Sequence, residues 1–82
     1  VIERANDNDL GLCSYLYTNS MDKAHIGSEK LESGCVAVNT GVVAIAEAPF
    51  GGIKQTGYGR EGGSGAIKDY LNVKYTHMGL KI

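Results

Sequence analysis

Pro49-Phe50-Gly51-Gly52-Ile53-Lys54-Gln55-Thr56-Gly57-Tyr58-Gly59-Arg60, running on into Glu61-Gly62-Gly63, carries glycine at 51, 52, 57, 59, 62 and 63. Glycine loses more backbone entropy on folding than any other residue, so this density weakens a fold unless positive φ or a close approach of two backbones is needed there. The stretch therefore reads as a loop kept for its shape, with Phe50 as a fixed aromatic and Lys54 and Arg60 as its cations. Within it, Gly57-Tyr58-Gly59-Arg60-Glu61-Gly62 also satisfies the G-x-G-x-x-G pattern of a dinucleotide phosphate loop. That mechanism needs a strand entering the first glycine and a helix leaving the last, so that main-chain N–H groups meet the pyrophosphate. Here another glycine loop enters, and Gly62, Gly63 and Gly65 delay any following helix, which favours the shaped loop over the phosphate site.

The rest of the composition bounds the answer. Eighty-two residues, 43% of them apolar, with a net charge of −1, describe one small α/β unit near the size at which a lone core is marginal. The opening Val1-Ile2-Glu3-Arg4-Ala5-Asn6 reads as the last turns of a helix, and with no initiator methionine the expectation is a piece of a longer chain. The longest apolar run, Val42 to Ala46, falls far short of the ~20 residues that span a bilayer. No charged-then-apolar leader opens the chain, so a cytoplasmic location without membrane contact is expected. Eight cations against nine anions form no basic stripe, which argues against nucleic acid as a partner. Cys13 and Cys35 lie in strand-like apolar segments without the short-spaced Cys or His partners of a metal site, and are expected to be buried thiols in a reducing compartment.

Working outward from the loop, Asn6-Asp7-Asn8-Asp9 is a turn cluster that releases the chain into a strand, Leu10 to Thr18. Asn19 or Ser20 caps a helix from about Met21 to Ser33, with Asp22 near its positive end and Gly34 as a left-handed stop. Met21, Ala24, His25, Ser28 and Leu31 share its inner face, where His25 is expected to be a hydrogen-bonded packing residue rather than a catalyst. Ile26 breaks this pattern. Cys35-Val36-Ala37-Val38-Asn39 then completes a strand–helix–strand unit, which predicts a parallel pair with a right-handed crossover. Gly41 to Ala48 is a packed connection feeding the loop. Ser64 can cap a short helix, Gly65 to Leu71, and from Val73 to Ile82 the tail reads as a strand with two half-apolar faces. Such a strand is an association hazard unless another sheet edge receives it, and a partner subunit is the economical receiver.

The stretch from Pro49 to Gly63 resembles the PFGGxKxSGxGRExG signature near the C-terminus of the aldehyde dehydrogenase superfamily, with Thr56 where many members carry serine. Essentially the whole chain is similar to the C-terminal end of such a subunit. Gly59-Arg60-Glu61-Gly62-Gly63, followed by Asp69-Tyr70-Leu71 and Lys74-Tyr75, looks most like its succinate-semialdehyde branch. The resemblance implies that residues 1–63 finish the catalytic domain and that 64–82 form a helix and an oligomerisation strand exchanged within a dimer or tetramer. It implies an oxidoreductase that uses NAD or NADP, bound mainly by parts of the protein outside this chain, to turn a small aldehyde into an acid. That chemistry runs through a cysteine thioester. Neither Cys13 nor Cys35 has the family's nucleophile context and the general-base glutamate motif does not occur, so no catalytic, cofactor-binding or metal residue is assigned and the chain alone is expected to be inactive.

What carries over is narrower. Phe50 matches the family's phenylalanine that lines the aldehyde pocket, where a rigid apolar wall excludes water; as an alternative it is a core anchor for the loop. Ala44 stands where members specific for succinate semialdehyde tend to place a serine that bonds the substrate carboxylate, which removes one such bond here. The rival to the enzyme reading is a non-enzymatic assembly module that pairs through its terminal strand; a miniature nucleotide binder is a third.

Overall fold

The computed structural model describes residues 1–80. The chain opens with helix α1 (Ile2–Asn6), and the turn after it is fixed by Asn8, whose side chain accepts from the Leu10 N–H at 2.6 Å. The expected strand from Leu10 to Thr18 is two shorter strands, β1 (Leu10–Gly11) and β2 (Cys13–Leu16), because its halves serve different partners. β2 pairs in parallel with β3 (Cys35–Val38), Cys13 opposite Cys35 and Leu16 opposite Val38. β1 pairs antiparallel with β4 (Ile53–Lys54), which belongs to the glycine loop. The α/β character and the parallel strand–helix–strand unit are therefore as the sequence predicts.

Helix α2 (Met21–Lys30) crosses between β2 and β3. Ser20 caps it, its hydroxyl accepting from the Lys23 N–H at 3.3 Å. The helix ends three residues before the expected Ser33, and Gly34 is not its stop. Leu31 leaves into extended backbone, and the Asn6 side chain occupies the end, donating to the Lys30 carbonyl at 2.7 Å and accepting from the Glu32 N–H at 2.8 Å. The expected inner face also shifts. Gly27 is the buried residue of α2, close under the Leu16 side chain, whereas Met21 and His25 face outward and His25 is not a packing residue. A helix packs closest where its residues are small, and Gly27 has no side chain to hold Leu16 away.

Lys54 ties the ends of this framework together. Its ammonium donates to the Asn6 and Asn8 carbonyls at 3.0 and 3.1 Å and pairs with Glu32 at 2.9 Å, which joins the end of α1, the turn before β1 and the segment after α2. Lys54 is solvent-exposed, but three oxygens on one ammonium are worth more than a single surface pair, and Lys54→Met is expected to cost about 1 kcal/mol, read as a lower urea midpoint of the intact protein.

The apolar interior is thin. Ala37 on β3, at 4% exposure, is the buried hydrophobic residue among those described, and the two cysteines are only half-buried rather than enclosed. A compact chain of this length has a radius of gyration of about 12 Å; here it is 18.4 Å, with a long axis of 69 Å. A 3₁₀ helix (Ala66–Tyr70) replaces the expected Gly65–Leu71 helix, with Gly65 rather than Ser64 at its cap position and i→i+3 bonds such as Lys68 N–H to the Gly65 carbonyl at 3.1 Å. Residues 71–80 carry no regular secondary structure, so the expected strand from Val73 is not formed; Lys81 and Ile82 of that strand lie outside the described residues. A strand exists only through the ladder of a neighbouring edge, and no edge among the described residues runs beside Val73, Tyr75 or Leu80, which are exposed.

Candidate functional site

The glycine loop is closed on itself by main-chain bonds. Phe50 and Glu61 face each other across an antiparallel bridge and exchange N–H···O bonds at 2.6 and 2.7 Å. Behind them the Gly63 N–H donates to the Ala46 carbonyl at 2.8 Å. The return requires left-handed backbone at Gly62 and Gly63, at φ 70° and 71°, and a Cβ on Gly62 would stand 2.7 Å from the Ala48 carbonyl oxygen. Positive φ together with crowding is the pairing that only glycine tolerates.

The closed loop is then docked on the strands. The Gly11 N–H donates to the Thr56 hydroxyl at 2.8 Å, and the Gln55 N–H to the Asp9 carbonyl at 2.9 Å, so Thr56 fills its position with an oxygen acceptor as a serine would. Gly34, at the entry to β3, lies against the main chain of Gly51 with no room for a side chain between them. The Cys35 thiol points the same way, 3.8 Å from the Gly51 carbonyl. Arg60 closes the near side: its guanidinium donates to the Gly52 and Gly59 carbonyls, each at 2.9 Å, while its own N–H donates to the Asp69 carboxylate at 3.1 Å.

This scaffold brings the two residues singled out from the sequence together. Phe50, half-buried, and Ala44 line one groove of roughly 360 Å³ with Ala46, Ala48, Glu61 and Gly62. On its other side Phe50 borders a second groove with Leu12, Tyr58, Arg60 and Tyr70. The Ala44 side chain is a methyl group with no hydrogen-bonding atom to offer the first groove. Arg60 and Asp69 are legible as motif residues but not as braces, because their partners are main-chain atoms that no sequence pattern names.

The G-x-G-x-x-G match leaves Gly62 into bends and turns, and the 3₁₀ helix begins only at Ala66, so no helix N-terminus meets that loop among the described residues. Those residues also hold no group of three or more His, Cys, Asp or Glu placed to share a metal ion. Partial burial, and then the neighbouring Cys35, push the Cys13 thiol above its ordinary value, the opposite of what an activated thiolate nucleophile needs.

The model of the aldehyde dehydrogenase family matches residues 1–76. The chain belongs to the aldehyde dehydrogenase family. It is 49% identical over 78 residues to the succinate semialdehyde dehydrogenase of Acinetobacter baylyi, covering 95% of this chain and 16% of that protein. The Escherichia coli succinate-semialdehyde dehydrogenase [NADP(+)] GabD is 46% identical over 98% of the chain and 17% of its own length. The 3-sulfolactaldehyde dehydrogenase of Pseudomonas putida is 48% identical over 96% and 16%. Among solved structures, an aldehyde dehydrogenase from Brucella melitensis biovar abortus superposes with a TM-score of 0.87 at 48% identity, over 92% of this chain and 16% of that one. The NAD+ complex of the Bacillus cereus aldehyde dehydrogenase gives 0.87 at 41% identity, over 98% and 16%. The chain thus spans about a sixth of the length of the aldehyde dehydrogenases it matches.

Proposed function

We propose that this chain is the C-terminal portion of an NAD(P)-dependent aldehyde dehydrogenase subunit, in which Phe50 walls the aldehyde pocket and Ala44 lies beside it. The observation that carries the reading is the stapled loop, whose Phe50–Glu61 bridge holds Phe50 on a groove that Ala44 also lines. Residues 1–63 would complete the catalytic domain and 64–82 the assembly segment. The glycine pattern has no helix N-terminus beside it among the described residues, which supports the reading that the cofactor accepting the hydride, like the nucleophilic cysteine, would be held by other parts of the protein.

The part played by these residues is to shape and dry the reacting centre. A benzyl ring has little rotamer freedom to lose, and a thioester beside it is shielded from premature hydrolysis. The proposed substrate is a small aldehyde with an acidic group at its far end, after the succinate semialdehyde and 3-sulfolactaldehyde named in the relatives. Ala44 forgoes one hydrogen bond to that group, about 1.5–3 kcal/mol when the acceptor is charged, so its recognition rests on cations elsewhere in the subunit.

In the intact enzyme, Phe50→Ala is expected to change the ratio of kcat/KM for short against bulky aldehydes by roughly tenfold, the worth of a few buried methylenes in a pocket, with the cofactor KM unaltered. Equal kcat/KM losses for every aldehyde would return Phe50 to the role of a core anchor. The exposed apolar side chains of Val73, Tyr75 and Leu80 favour, as a second reading, a non-enzymatic assembly module that pairs through its tail. Isolation of the native protein separates the two: an active oligomer whose subunit contains this sequence supports the enzyme, and an inactive partner-bound chain of this length supports the module.

A further inference from the structure

We propose that Arg60 is the positioning residue for the substrate wall: its guanidinium locks the Phe50-Gly51-Gly52 turn and so holds the Phe50 ring in place. The inference rests on the reading of Phe50 given above and adds to it a residue that need not touch substrate. Nη1 donates at 2.9 Å to the carbonyls of Gly52 and Gly59, which lie on opposite limbs of the loop, so a single nitrogen bridges the two limbs. The Phe50–Glu61 rung adjoins that brace, Phe50 on one limb and Glu61 on the other. The stem takes part as well. A Cβ on Gly51 would stand 2.8 Å from Arg60 Cδ and 3.2 Å from Nη1, so the arginine lies flat on Gly51 and uses the space a side chain would fill.

The charge at this point is not engaged in an ion pair among the described residues; the guanidinium bonds described here both go to main-chain oxygens. The Asp69 carboxylate instead accepts from the Arg60 N–H at 3.1 Å, which ties the 3₁₀ helix to the loop and sets the arginine's backbone. Lys54, the loop's other cation, is committed to Asn6, Asn8 and Glu32. A planar fork with several fixed N–H directions suits two carbonyls at once, whereas an ammonium on a flexible stem is a point charge that orders one of them less well.

The test compares Arg60→Met, Arg60→Lys and Phe50→Ala in the intact enzyme with two readouts. In Arg60→Met, amide exchange of the Phe50–Gly52 segment should quicken by roughly tenfold while that of Cys35–Val38 is unchanged, as local opening of one loop requires. The short-to-bulky aldehyde ratio of kcat/KM should move in the same direction as in Phe50→Ala, the cofactor KM should stay within about twofold, and the double variant should do no more than Phe50→Ala alone. Arg60→Lys should fall between wild type and Arg60→Met in both readouts, and it carries the test if Arg60→Met does not fold. Unchanged exchange at 50–52 overturns the brace. A kcat lowered equally for all aldehydes overturns the positioning role and leaves Arg60 a general support. Quickened exchange alongside a kinetically silent Phe50→Ala upholds the brace and sinks the substrate-wall reading instead, so the two failures are distinguishable.

Discussion

Gly34→Ala is expected to lower the urea midpoint of the intact protein by the equivalent of about 3 kcal/mol, the upper range for overpacking a site that cannot yield. The new methyl would fall on the carbonyl oxygen of Gly51 and within 2.9 Å of Gly52 Cα. Both obstacles are main chain, so no rotamer change relieves them; either β3 moves away from the loop or the loop lifts from the strands. Lifting breaks a linked set of contacts, because the Thr56 hydroxyl on Gly11 and the Gln55–Asp9 bond dock the same segment. Gly65→Ala is the matched control. Gly65 has φ −91°, and a methyl placed on it would meet nothing within 4 Å, so its change should stay within about 0.5 kcal/mol of wild type. Equal midpoints for the two variants would show that the Gly34–Gly51 approach has room to spread.

Truncation after Asn72 is the second large effect, and it falls on assembly. If residues 64–82 serve association as proposed, the shortened protein should elute from size exclusion as a smaller species while keeping the circular dichroism of a folded subunit. Val73 is 103% exposed, Tyr75 83% and Leu80 91%, so the tail contributes little to the chain's own interior and its removal leaves β1 to β4 in place. Buried on a partner, three such side chains would contribute roughly 1.5–3 kcal/mol each, before the ladder bonds of the strand are counted. Persistence of the full oligomer in the truncated protein would end the proposal that residues 64–82 serve association.

The two large effects come from parts of the chain that the sequence describes unequally well. The strand–helix–strand unit is legible because its signals are local: Ser20 caps the helix it precedes, and β-branched Val36 and Val38 mark the strand. The glycine loop is legible as a shaped element from its density, and the positive φ values at Gly57, Gly59, Gly62 and Gly63 bear that out. What escapes is everything decided by a distant partner. Gly34 resembles a helix stop, since a glycine a few residues past a helical pattern fits that role, but Asn6 ends the helix from the other side of the fold. The stretch Leu10–Thr18 resembles one strand because nothing in its pattern reveals that β4 claims its first residues. His25 has the spacing of an inward residue because it stands four after Met21 and three before Ser28, although Gly27 is where Leu16 makes its approach. The tail has the period-two pattern of a strand, but a strand also needs a neighbour. For the site, Phe50 and Ala44 can be named from the motif, whereas the brace that Arg60 forms on two carbonyls has no side-chain partner for a pattern to record.

The pairing of β1 with β4 also sets an order of events during synthesis. Leu10 and Gly11 leave the ribosome well before Lys54 and Ile53, the residues they pair with, are made. At about 5–20 residues per second the interval is a few seconds, long against the microseconds to milliseconds of local helix and hairpin formation. β2, α2 and β3 are contiguous and can assemble within that interval. The Gly11 N–H must wait for Thr56, and Gly34 for Gly51. The glycine loop is in this sense a clasp that shuts after the strand–helix–strand unit, and until it does β1 lacks the β4 rung, which a chaperone or another nascent copy could supply in its place.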